Sequence, residues 1–453
     1  MSLPFQAWLR AGRRAQASLA RATTALDPQR RSLLLAGALL AALNALAPPV
    51  ANAQGLTSEH WVGTWGAGPG GPPLPAKTMT FANQTLRLVV HTSLGGNRVR
   101  IRLSNQMGDA PLAIGEAHIA VRGSGADIAT GSDRALTFGG HAVLTIAPGA
   151  SALSDPVELN VPALSDLAIS LYLPGSAAAS TIHRVANQTN YVSQPGNFAG
   201  APSLPVARTI SSWPFLADVD IDNSGGAIVI LGDTITDGYR STPDTNNRWP
   251  DWLARRLQSV RDPAPGTSGA LGVVNRSISG VHPLANPPEG SLAGRNPLER
   301  FERDVVAAAG ARYMMVMLGI NDIGNSPKGK PVGADLLIAG FRQLITRARE
   351  KGIAVYGATL MPFEDAAYYS PQKDDVRQAV NLWIRSSSEF DGVVDFDAVM
   401  RDPGQLTRLL PAYDSGDHLH PNDLGYQAMG NAVPLELFRS TAATDLKRLA
   451  TAK

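Results

Sequence analysis

The 453-residue chain contains no cysteine. That absence excludes disulfides, a thiol nucleophile and cysteine-ligated metals. Also missing are a Gly-rich dinucleotide fingerprint, a P-loop and any self-similarity at the 20-to-50-residue period of solenoids. Charge is sparse, at 17% of residues against 44% hydrophobic. This is ordinary globular composition, and the length accommodates two or three domains with substantial cores. The apolar run from Leu33 to Leu46 spans 14 residues and is interrupted by Asn44. A membrane-spanning helix needs about 20, so a retained anchor is the weaker reading of this run.

Export is the stronger one. A basic segment ending in Arg30-Arg31 precedes the apolar run, and Ala51-Asn52-Ala53 follows with the small-x-small form of a signal-peptidase site. Residues 1–53 therefore read as a signal peptide, and the mature protein is expected in the periplasm or outside the cell. The Gln29-Arg30-Arg31-Ser32-Leu33-Leu34 stretch fits the twin-arginine route, with ordinary Sec export the alternative. The leader carries six arginines and one acid, a charge of +5 in a chain of net charge +2, which leaves −3 for the remainder. The pI of 8.8 thus belongs to the leader, and no nucleic-acid partner is expected. With the leader removed, no integral membrane span is expected either.

Residues 56–210 read as an all-β domain. Thr85–His91, Arg98–Leu103 and Leu167–Leu173 alternate at period two, with turn clusters at Gly95-Gly96-Asn97 and Gly123-Ser124-Gly125. A β-sandwich of jelly-roll type is the natural architecture. Arg98, Arg100 and Arg102 fall on one face, which reads most simply as solvated; a carbohydrate- or polyanion-binding face is the sharper alternative. Trp61 and Trp65 read as core or interface packing before sugar platforms. The stretch 202–226 reads as a connection.

From residue 225 to about 440 the rhythm changes. Apolar runs at Ala227–Leu231, Gly272–Val274, Tyr313–Leu318, Ile353–Ala358 and Val393–Phe396 alternate with helical patterns near 249–258, 297–309, 333–351, 371–389 and 424–438. Five strand-and-helix repeats predict a doubly wound parallel sheet flanked by helices. Residues 441–453 read as a tail.

Three separated segments in this half carry polar residues suited to one reaction: Gly232-Asp233-Thr234-Ile235-Thr236-Asp237-Gly238, Gly319-Ile320-Asn321-Asp322 and Asp417-His418-Leu419-His420-Pro421. Ester cleavage needs a nucleophile, a base and donors for an oxyanion. Thr234 offers a hydroxyl just past a strand, although a threonine there is by itself more often a turn former or cap. His420, three residues after Asp417, is the best base; Asp414 with His418 is the rival pairing. His418 and His420 also have the spacing of a metal pair on a strand, but two ligands make a poor site.

These segments resemble the nucleophile, Asn and Asp-x-x-His blocks of the GDSL/SGNH hydrolase superfamily. The longer match from Arg248-Trp249-Pro250-Asp251 through Tyr413-Asp414-Ser415-Gly416-Asp417 is similar to its XynE-like branch of acylhydrolases. The resemblance implies an SGNH-type, flavodoxin-like fold and an esterase without metal or cofactor. Its substrate would be a small-molecule or polysaccharide acyl ester, such as acetyl groups on a carbohydrate. It implies Thr234 at the nucleophile position, Asp417 and His420 as the acid–base pair, and an oxyanion hole from Thr234, Gly280 and Asn321. Two departures stand out. Val281-His282 follows Gly280 where the family commonly has a polar residue such as Asn, and Thr234 stands where the family has serine. The threonine leaves open a slow or specialised esterase, an impaired carbohydrate-binding relative, or a substitution introduced to trap the enzyme. A lipase or lysophospholipase would want an apolar entrance, for which Met361-Pro362-Phe363 and Tyr368-Tyr369 are the candidates.

Overall fold

A computed structural model describes residues 59–259 and 270–438. The expected leader, 1–53, and tail, 441–453, lie outside the described residues. From His60 onward the chain packs as one compact unit with an antiparallel half and a parallel half.

In the antiparallel half, one sheet has the order Trp61–Gly66, Leu216–Asp222, Gly96–Ser104, Ser151–Leu153, with Val157–Val161 also pairing to Gly96–Ser104. The second runs Val206–Ile210, Asn190–Pro195, Thr80–His91, Asp166–Ala178, Glu116–Val121, Arg134–Ala135. Period-two alternation sends Leu86, Leu88 and Val90 from one sheet and Val99, Ile101 and Leu103 from the other into a shared core. The expected sandwich is what this pattern builds.

The stretch 202–226 differs from its expected role as a connection. It holds three strands, and Leu216–Asp222 lies inside its sheet. Val219 and Ile221 face the core, while the alternate acids that disguised the strand oppose Arg102 and Arg100 on the neighbouring strand. Arg100 meets Asp220 at 3.0 Å, Arg102 meets Asp218 at 3.2 Å and Arg98 meets Asp222 at 3.4 Å. Arg100 also lies 4.4 Å from the Trp61 ring centroid. The arginine face is therefore half-buried and its charges are engaged: it is an ion-paired seam, and the buried Asp218 also pairs with Arg276 of the parallel half. Trp65 packs edge-on against Trp213 at 4.9 Å, as a core tryptophan should.

The parallel half has five strands: β1 (Gly226–Gly232), β2 (Leu271–Asn275), β3 (Ala311–Met317), β4 (Ala354–Ala358) and β5 (Gly392–Val394). All pair in parallel in the order β2-β1-β3-β4-β5, the flavodoxin-like arrangement. β1 is buried along its whole length, which explains its unbroken apolar run. The described helices are α1 (Thr234–Asp237), α2 (Trp249–Ser259), α3 (Ile320–Asn325), α4 (Ala334–Glu350), α5 (Pro371–Ser386), α6 (Phe396–Met400) and α7 (Asp423–Ala432). Ser370 caps α5 by accepting from the Lys373 N–H, with Pro371 in the first turn.

Two expected helices are shorter. Within 297–309 only a wide turn, Glu302–Val306, forms, closed by the Ala307 N–H on the Glu302 carbonyl at 2.9 Å. That segment anchors a fully buried pair, Arg300 and Asp304. The helix expected over 424–438 stops at Ala432, just before Pro434, and resumes as a tight turn at Leu435–Phe438.

β2 is an edge strand of the parallel sheet, and the antiparallel half covers it. The Ser93 hydroxyl accepts from the Val273 N–H at 2.8 Å and donates to the Thr64 carbonyl at 2.6 Å. Covering a free edge in this way removes a site for unwanted strand pairing. The approach is close enough that a Cβ on Gly272 would lie 2.1 Å from the Gly63 carbonyl oxygen. Gly272→Ala should therefore push the Trp61–Gly66 strand off β2 and cost about 1–3 kcal/mol. Urea unfolding checks this; an unchanged midpoint would mean the contact is looser than described.

Candidate active site

β1 ends at Gly232, and Asp233 caps α1 by accepting from the Ile235 N–H at 3.1 Å. Thr234 is thus the first residue of α1, at the carboxyl end of β1, an interior strand of the sheet. In the order 2-1-3 the loops after β2, β1 and β3 lie side by side, and ligands of such sheets bind in the crevice they form. Gly280, from the loop after β2, donates its N–H to the Thr234 Oγ1 at 3.1 Å. Its φ of +83° is a conformation that favours glycine. Asn321 lies in α3, directly after β3, and its Nδ2 donates to the Val281 carbonyl at 3.0 Å. Three residues expected in one site thus meet from three successive strands.

Asp417 and His420 arrive on the loop before α7. The Asp417 Oδ2 lies 2.8 Å from the His420 Nδ1, and its Oδ1 accepts from the backbone N–H groups of His420 and Leu419 at 2.8 and 3.1 Å. With Nδ1–H donated to a carboxylate, Nε2 is left as the proton acceptor. Burial works against ionisation of Asp417, but the His420 backbone and ring hydrogen bonds outweigh it and hold the carboxyl down at about 2. Burial also pushes His420 below its usual range; Asp417 opposes this and the Arg240 charge adds to it.

The rival pair is also formed, with His418 Nδ1 at 2.6 Å from Asp414 Oδ2. Placement separates the two. The His418 side chain is 48% exposed and that of His420 only 12%. Tyr239 packs edge-on against the His420 ring at 4.9 Å, and the Arg240 Nε approaches Asp417 at 3.4 Å. Tyr239 in turn donates its N–H to the Thr234 carbonyl at 3.1 Å. His420 therefore sits against the turn that carries Thr234. Each histidine is engaged by its own carboxylate, and among the described residues no group of three or more ligating side chains is placed to hold a metal ion.

For several residues of the motif blocks, position was legible in the sequence but role was not. Asp233 is fully buried with Oδ2 lacking a partner among the described residues, and burial, with the charges of Asp322 and Asp237, pushes it up to about 7 against the pull of the Ile235 N–H. Asp322 accepts from the Leu284 N–H at 3.1 Å, yet burial raises it to about 7 as well. Both lie in the motif blocks, but burial has no signal in a motif. His282 replaces the expected polar neighbour of Gly280 and still supplies polarity. Its Nε2 accepts from the Asn325 amide at 3.1 Å, and its ring bonds to the backbone of Gly280 and Asn321. Burial lowers its pKa, so it is neutral near pH 7. Of the candidates for an apolar entrance, Met361 and Phe363 are core residues, while Tyr368 and Tyr369 pack on Phe363 and stay half-buried.

A hydroxyl, a backbone donor, a side-chain amide and an Asp–His pair at the switch point of a parallel sheet define an α/β hydrolase crevice. Residues 230–428 match the GDSL-like lipase/acylhydrolase family, so this stretch is a GDSL-like acylhydrolase domain and the protein falls in the class of ester-bond hydrolases. Among solved structures, an acetylxylan esterase from Geobacillus stearothermophilus is similar at 23% identity, covering 48% of this chain and 98% of that one, with a TM-score of 0.35. A GDSL-like lipase from Bacteroides thetaiotaomicron is similar at 20% identity over 47% of this chain and 87% of that one, TM-score 0.33. No curated protein matches the chain.

The raised carboxyls have a testable consequence. A folded-state pKa near 7 against an unfolded value near 4 means that Asp322 favours folding below pH 4 and loses that contribution as pH rises to 7. Asp322→Asn keeps an oxygen for the Leu284 N–H and removes the titration. The stability of this variant relative to the parent should climb between pH 4 and pH 7, measured by urea unfolding across that range. A constant difference would mean that Asp322 titrates normally.

Proposed function

We propose that the protein is an exported esterase that removes short acyl groups from carbohydrate esters, with Thr234 as nucleophile, His420 as base and Asp417 as its orienting acid. The observation that carries this reading is the 3.1 Å hydrogen bond from the Gly280 N–H to the Thr234 hydroxyl, which puts a donor at the atom that would attack. His420 Nε2 takes the Thr234 proton as Oγ1 adds to the acyl carbonyl. The oxyanion receives the N–H groups of Thr234 and Gly280 and the second amide hydrogen of Asn321. Collapse expels the alcohol, which takes the proton from His420, and water repeats the sequence on the acyl-enzyme. Arg240 and Tyr239, exposed beside His420, suit a polar alcohol half such as a sugar. A cleaved leader would leave a mature N-terminus near Gln54, which N-terminal sequencing of exported protein tests.

One observation favours a second reading. The Thr234 β-methyl restricts χ1 and occupies space near the path of attack, as a site that binds acylated sugar without turnover would tolerate. Kinetics separate the two. Thr234→Ser should raise kcat on short-chain esters about ten- to a thousandfold, and Thr234→Ala should abolish whatever activity the parent has. In the serine background His420→Ala should remove nearly all turnover, and Asp417→Asn should lower kcat on the order of 10⁴-fold through the wrong tautomer. Equal rates for the Thr and Ala forms with no gain for Ser would leave the binding reading standing.

The pH profile follows from the lowered His420. The base is neutral above its pKa, so kcat/KM should fall only as pH drops through a midpoint below 6.5, and Arg240→Ala should move that midpoint upward. A midpoint above 6.5, or one indifferent to Arg240, contradicts His420 as the base.

A further inference from the structure

We infer that His183, a residue of the antiparallel half, is a positioning residue for the Gly280 oxyanion donor, acting through Asp237 and Ser279. The inference rests on the oxyanion role proposed above for Gly280. His183 lies in the short strand Ile182–His183 and is 3% exposed. Its Nδ1–H donates to the Gly68 carbonyl at 2.9 Å, and its Nε2–H to Asp237 Oδ1 at 2.9 Å with the Val185 carbonyl at 3.2 Å. Only the imidazolium satisfies acceptors at both ring nitrogens. Burial resists that charge, but the charge and hydrogen bond of Asp237 and the Gly68 carbonyl outweigh it and raise the histidine pKa.

Asp237, the last residue of α1, is buried, and both its oxygens are in use. Oδ1 faces His183, and Oδ2 accepts from the Ser279 N–H at 2.9 Å and from the Ser279 Oγ at 2.6 Å. The next residue is Gly280, whose N–H reaches Thr234 Oγ1. A chain of short hydrogen bonds therefore runs from the sandwich to the peptide that donates to the reacting oxygen. Further ties hold the same ground, since the Asn187 amide binds the Gly238 carbonyl and Arg248 binds the Ala186 carbonyl. Without His183 a buried carboxylate would lose its only cationic partner among these contacts. It would take up a proton or turn, and either change weakens its hold on Ser279. Oxyanion donors work only in place: a 1 Å displacement can cost about a hundredfold in rate, and loss of one donor about 10²- to 10³-fold.

The test compares the parent with His183→Ala and His183→Gln, the glutamine retaining an N–H for Asp237. Two readouts are taken: amide hydrogen exchange of the peptide covering 277–281, and kcat and KM on a soluble acetyl ester. His183→Ala should speed exchange at least tenfold and lower kcat about 10- to 100-fold with KM within about twofold. His183→Gln should recover most of both. A purely structural tie would lower thermal stability in both variants and leave kcat per folded molecule and the exchange of 277–281 alone. Unchanged exchange overturns the inference whether or not the parent hydrolyses esters, and unchanged kcat in an active parent overturns it equally. A parent that turns over no ester contradicts the proposed function, while the exchange data still decide the positioning. If His183→Ala does not fold, Ser279→Ala cuts the Oγ bond to Asp237 and is read in the same two ways, with a smaller loss expected.

Discussion

The parallel pairing of β1 between β2 and β3 is the constraint on which the site depends. An interior strand flanked by the next two strands of the sequence forces the loops after all three to converge at one end of the sheet. Thr234, Gly280 and Asn321 are 41 to 87 residues apart in sequence when taken in pairs, yet each sits within a few residues of its own strand end. Hydrogen bonds between neighbouring loops then complete what strand order begins, from Gly280 to Thr234 and from Asn321 to Val281.

The antiparallel half meets the parallel half at several points that matter to the crevice. It covers the edge of β2 through Ser93, buries an Arg–Asp seam through Asp218 and Arg276, and reaches Asp237 through His183. The interface combines directional and steric terms. Glycines at 63 and 272 allow backbone to approach backbone, and Val62, Leu94, Ala227 and Val274 form a small dry cluster beside them. A sandwich attached in this way holds the loops after β1 and β2 as well as filling space beside them.

Much of this was legible in the sequence, for physical reasons. Strands buried on both faces need unbroken apolar runs, so the first four parallel strands stand out, and the cap at Ser370-Pro371 marks the start of α5. The short helices α1 and α3 were hidden because their Asp, Asn and Gly residues also write turns. Leu216–Asp222 was hidden because its outward residues are acids, which make sense only beside the arginines of a strand more than a hundred residues away. For the candidate site, motif spacing singled out Thr234, Asn321, Asp417 and His420, but it wrote the Asp414–His418 pair equally well. Burial and the Tyr239 contact distinguish the two pairs, and neither is a property of spacing. His183 had no local signal at all, being a lone histidine in a β-rich stretch whose partner lies 54 residues on.

The central claim is that the Thr234 hydroxyl attacks the ester and carries the acyl group between the two half-reactions. Peptide mass spectrometry of protein quenched with acid during turnover of an activated acetyl ester tests it most directly. The account predicts one acetyl group on the peptide containing Thr234, located on that residue by fragmentation and absent from Thr234→Ala. An adduct on another residue, or sustained turnover of the ester by Thr234→Ala, would contradict it.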